Sequence, residues 1–109
     1  MMNKAVLIVL ATMLSLPIHA ASGNAEAGKA KSTACAACHG ADGNGNSNTP
    51  MFPKLAGQHR DYLYHSLKAY KTGKRKNPIM AGQVQNLSVA DMEDLAAYYS
   101  KQKGLFIKY

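Results

Sequence analysis

The chain is short of cysteine, of acidic residues and of long apolar runs. Of its 109 residues only 2 are cysteine, and 6 are acidic against 13 Lys and Arg. Both cysteines, Cys35 and Cys38, fall within one tetrapeptide, so no disulfide framework joins distant parts of the fold. The longest apolar stretch, Ala5 to Leu16, is too short for a comfortable bilayer crossing, and no stable membrane insertion is expected. No βαβ pattern surrounds the cysteines, which removes the setting of a thioredoxin-like Cys-x-x-Cys pair. The excess of base over acid is the usual mark of a nucleic-acid binder, yet the lysines are scattered and not interleaved with stacking aromatics. No nucleic-acid partner is expected, and the positive surface points to acidic ones instead.

What the chain does have is Cys35-Ala36-Ala37-Cys38-His39-Gly40, and Cys-x-x-Cys followed at once by His is the attachment signature of a c-type haem. Two thiols three positions apart on one helical turn can each add to a vinyl group of the same porphyrin. The adjacent His39 then reaches the iron. A structural zinc site would need four nitrogen or sulfur ligands. The other histidines beyond the leader, His59 and His65, are six apart and lie on different faces of a helix. One covalently attached haem c is the expected cofactor.

The amino terminus reads as a secretory signal peptide: Met1-Met2-Asn3-Lys4, an apolar core to Leu16, a break at Pro17, and small residues at Ala20-Ala21. Cleavage after Ala20 makes residues 1–20 the leader and residues 21–109 a single domain in the periplasm. Eighty-nine of the 109 residues then remain, a size at which the core is thin without help. A porphyrin supplies a large apolar slab for side chains to pack against. Loss of Lys4 leaves 12 basic against 6 acidic residues, a charge of +6 before the haem propionates are counted. Acidic redox proteins or membrane respiratory complexes are the partners such a surface would meet.

Along the mature chain, Asn24 is placed to cap a first helix of small residues that runs through Ala27, Gly28 and Ala34 into the haem motif. Residues 40–58 hold Gly43, Asn44, Gly45, Asn46, Asn48, Pro50 and Pro53, a loop expected to wrap one haem edge, with Met51, Phe52 and Leu55 covering the ring. His59 or Asp61 opens a second helix that Gly73 stops. Lys71, Lys74, Arg75 and Lys76 follow, with Arg75 a candidate partner for a propionate. Residues 77–82 read as another irregular segment. Ser88 caps the last helix, whose expected apolar stripe is Val89, Met92, Leu95, Ala96 and Tyr99, with Gly104 as its stop. The tail Leu105 to Tyr109 is apolar for a terminus.

His39 fills one axial position, and a second ligand must reach the opposite face of the ring. Three methionines survive processing. Met92 sits on a core stripe, where a thioether is filler. Met51 lies in the wrapping loop, only 12 residues past His39, and serves as ligand or cover. Met80, between helices and just after Pro78, has enough chain behind it to cross the ring and is the favoured ligand; a histidine or an open site are the remaining choices. With His39 and Met80 both bound the iron has no free position, so one-electron transfer is expected rather than an enzyme's substrate chemistry. A haem sensor with a labile sixth ligand, or a haem subunit of a larger redox complex, are the alternatives.

Cys35-Ala36-Ala37-Cys38-His39-Gly40, Pro53-Lys54-Leu55-Ala56-Gly57-Gln58, Tyr62-Leu63, Pro78-Ile79-Met80 and Leu95-Ala96-Ala97-Tyr98 together resemble the class I cytochromes c. The resemblance is to small bacterial periplasmic monohaem members and to a single half of the dihaem members. It implies an all-α fold with helices and long loops wrapped around one covalent haem, and first and last helices crossing near the haem edge. It also implies that the Pro53 carbonyl accepts from the His39 ring. One departure stands out: Lys31 and Ser32 occupy the place where many relatives carry an aromatic, which predicts a weaker helix contact.

Overall fold

In the computed structural model, which describes residues 23–105, the expected first helix is two: α1, Ala25–Lys31, and α2, Thr33–His39. Asn24 caps α1 as its sequence predicts, its side chain accepting from the Ala27 N–H at 3.0 Å. The break comes at buried Ser32, whose hydroxyl and backbone N–H both donate to the Lys29 carbonyl, at 2.7 and 3.2 Å. A serine that bonds backbone three residues back competes with the i to i−4 ladder. The ladder restarts from the Ser32 carbonyl, which accepts from Cys35 and Ala36. The leader, its cleavage point and residues 106–109 lie outside the described residues.

The third helix, α3, spans Arg60–Thr72 behind His59 and ends at Gly73, whose φ of 77° is the left-handed closing conformation. Residues 77–82 are not irregular. Pro78–Val84 form a short helix, α4, whose first position is the proline and whose cap is Asn77. The last helix, α5, is Val89–Ser100, opened by a capping box in which Ser88 and Asp91 bond each other's backbone N–H. Among the described residues there are no strands, and the fold is all-α.

α5 is the core. Met92, Leu95 and Tyr99 are no more than 2% exposed, and Ala96, Ala97 and Tyr98 are also buried, because α1 packs on one side of the helix and α3 on another. Each large side chain so buried contributes about 2 kcal/mol over an exposed one. Val89 does not belong to the stripe; at the helix entrance it is 56% exposed. The crossing with α1 depends on Gly28, where a β-carbon would lie 2.0 Å from the Asp94 carbonyl oxygen and 2.7 Å from Tyr98 Cβ. Where the aromatic is missing, Lys31 pairs with Asp91 at 2.8 Å and Asp94 at 2.6 Å, and Asp94 also accepts from the Asn24 N–H at 2.7 Å. Gly104 is not the helix stop. α5 ends at Ser100, and Gly104 is glycine because a β-carbon there would meet the Ala56 carbonyl at 2.8 Å.

Candidate haem site

The loop of residues 40–58 completes the end of α2. The last four carbonyls of a helix lack intrahelical partners, and here each finds one. Ala36 accepts from the Gly40 N–H at 2.9 Å, Ala37 from Asn46 Nδ2 at 3.3 Å, Cys38 from Thr49 Oγ1 at 3.0 Å, and His39 from the Gly45 N–H at 2.8 Å. Gly40, at φ 86°, makes the turn possible. The His39 side chain is only 6% exposed, and its Nδ1 lies 2.7 Å from the Pro53 carbonyl oxygen. A carbonyl can only accept, so Nδ1 carries the proton, and Nε2 is left with its lone pair for a metal.

A cavity of about 240 Å³ opens between α2, the loop, α3, α4 and α5, with Cys35, His39, Leu55, Leu63, Met80 and Tyr99 in its wall. A smaller hollow of about 40 Å³ between α2 and α4 is lined by Cys38, Phe52 and Ile79, and shares Cys35, His39, Asn77 and Met80 with the first. All four residues expected from sequence, Cys35, Cys38, His39 and Met80, thus come together. The Phe52 ring lies 6.3 Å from that of His39. Met51 is not ring cover: it is 74% exposed and lines neither hollow. Met92 is buried core, as its stripe position predicts. Arg75 reaches the larger cavity, its guanidinium 4.8 Å from the Tyr70 ring centroid and 3.5 Å from Ser66 Oγ.

The donor set fits a haem. Two free thiols, one imidazole nitrogen and one thioether surround a wall of mainly apolar side chains. Burial pushes the Cys35 thiol up from its ordinary value, opposite to the lowered thiolate pKa of a dithiol redox pair. The Tyr99 hydroxyl of this wall is fully buried, with Cys35 and Ser32 beside it. Burial also holds its pKa above the usual range. Two features here escaped sequence reasoning: the fully capped end of α2 and the helix that carries Met80. The second had a signal, since Asn followed by Pro is a cap and first-turn pair.

The family described as Cytochrome c matches residues 25–103. The chain belongs to the cytochrome c family. Its cofactor is one covalently attached c-type haem. Cytochrome c4 of Pseudomonas aeruginosa is 47% identical over 102 residues, which are 94% of this chain and 50% of that protein. Cytochrome c-554(548) of Halomonas halodenitrificans is 46% identical over 85 residues, 75% of this chain and 100% of its own length. The reduced recombinant cytochrome c4 from Pseudomonas stutzeri superposes with a TM-score of 0.71 at 46% identity, over 77% of this chain and 48% of the other. The chain thus spans about half the length of the cytochromes c4, in keeping with its likeness to one half of a dihaem member.

Proposed function

We propose that this cytochrome is a periplasmic one-electron carrier, not an enzyme, with Cys35 and Cys38 as the points of haem attachment and His39 and Met80 as the axial ligands. The observation that carries the reading is the shared wall: His39, with Nδ1 committed to Pro53, and Met80 line the same two hollows, with Cys35 in both walls and Cys38 in the smaller. Held by His39 and Met80, the haem would supply one-electron chemistry with no position left for substrate. The protein's part is to keep that state unchanged through the cycle. Pro53 holds the imidazole in one tautomer and orientation. Leu63, Leu95 and Tyr99 keep water from the inner wall. Arg75 offers a guanidinium at the edge of the cavity, suited to a propionate.

Charge supports an acidic partner on the Met80 side. No Asp or Glu occurs between Asp61 and Asp91, whereas Lys68, Lys71, Lys74, Arg75 and Lys76 all lie there and are exposed. An acidic redox protein or a respiratory complex fits that face. Among the described residues no helix is long and apolar enough to cross a membrane, and the leader read from the sequence supports export to the periplasm. Carbon monoxide added to the reduced cytochrome tests the reading. No spectral change is expected with the sixth position filled; rapid, saturable binding would make the protein a ligand-binding haem sensor instead.

A further inference from the structure

We infer that Asn77 is a positioning residue for Met80, its side chain holding the first turn of α4 closed and so setting how often the sixth ligand lets go. The inference rests on the assignment of Met80 as an axial ligand. Asn77 has the extended backbone that a residue before proline favours, φ −156° and ψ 114°. From that position its Oδ1 accepts from the Ile79 N–H at 3.0 Å and from the Met80 N–H at 3.1 Å. Its own carbonyl accepts from the Ala81 N–H at 2.8 Å. Pro78 has no N–H to offer, so one residue satisfies every donor of the turn that bears the ligand.

Little else in the chain's own hydrogen bonding closes that turn. Residues 71–79 are all exposed, and α4 has only seven residues, far too few for a helix to persist by itself. Its far end is anchored by Val84, 1% exposed, and the chain just beyond is held by the Lys71 ammonium, which donates to the Leu87 carbonyl. Opening is therefore expected at the Asn77 end, the end that carries Met80. Removing an asparagine cap raises the open population of a helix start by about fivefold. That change would appear as a faster exchange of the ligand with no change in its identity.

The test uses the haem-loaded cytochrome with Asn77→Ala and Asn77→Asp, aspartate being an equally good cap. Amide hydrogen exchange at Ile79 and Met80 and the rate of cyanide binding to the oxidised protein should both rise about fivefold in Asn77→Ala. Both should return toward wild type in Asn77→Asp, while the amides of Leu95 and Tyr99 stay protected throughout. A cyanide rate unchanged in Asn77→Ala, whether or not the amides open, would reduce Asn77 to an ordinary helix cap and overturn the inference. Wild-type protein that binds cyanide as fast as Met80→Ala would instead overturn the ligand assignment beneath it.

Discussion

On the His39 side of the cavity every carbonyl of the last turn of α2 has a partner, the imidazole is held by Pro53, and His39 is 6% exposed. On the Met80 side the thioether rides a seven-residue helix whose approach, residues 71–77, is exposed. The difference follows from where each side chain stands in the sequence. The histidine lies next to two covalent anchors in sequence, so order there is cheap to maintain over a short loop. Met80 has no such neighbour in sequence, and its place depends on the Asn77 cap and on the end of α4 anchored by Val84. On the proposed ligation, this asymmetry would make the His39 side the fixed one and the Met80 side the adjustable one.

The largest expected effect breaks the frame behind the histidine. Gly28→Ala places a β-carbon 2.0 Å from the Asp94 carbonyl, a backbone atom that cannot swing aside, and should cost about 3 kcal/mol as α1 is pushed off α5. Denaturant unfolding of the haem-loaded protein measures it, and a loss under about 1 kcal/mol would show that the crossing is looser than drawn. Next in size are the charges of the Met80 face. Reversing Lys74 and Lys76 should slow reduction by an acidic donor about tenfold at low salt, whereas reversing Lys101, beyond α5, should do little. Equal effects from both sites in stopped-flow traces would leave the charge as a solubility feature. Lys54, exposed but in the cavity wall, should behave like Lys74; Lys108 lies outside the described residues.

Thr49→Val sharpens the comparison directly. It strips the Cys38 carbonyl of its partner and should cost about 1 kcal/mol of global stability, with the cyanide-binding rate unmoved. Faster cyanide binding in that variant would mean that the two sides are coupled. The smallest effect is a pH slope. Lys31, and after it the Ser88 N–H, hold the Asp91 carboxyl at about 2, below its ordinary 3.8. A depressed carboxylate gives stability that is complete above pH 4 and is lost as the pH falls toward 2. Asp91→Asn should therefore flatten the acid limb of the stability curve between those values, as followed by helix circular dichroism.

Much of this was legible in the residues because its causes are local. The haem motif, Asn24, Gly73 and the Ser88 cap each act over a few positions. Burial on α5 was only partly legible: a stripe assumes one covered face, whereas α1 and α3 together also cover Ala97 and Tyr98 and leave Val89 at the rim. The Ser32 break was hidden because a buried serine bonding backwards looks, in sequence, like any residue of a helix. α4 was missed because Pro78 reads as a breaker unless Asn77 is credited as its cap. Met51 was misjudged because an apolar residue in a wrapping loop can face either way, and this one faces solvent.

Whether the iron sits between His39 and Met80, as proposed, is tested most directly by the absorption of the oxidised cytochrome at the sulfur-to-iron charge-transfer band. Ligation by His39 and Met80 predicts a band present in wild type, lost in Met80→Ala and unchanged in Met51→Ala. A band absent from wild type, or one that survives Met80→Ala and disappears with Met51→Ala, would contradict it.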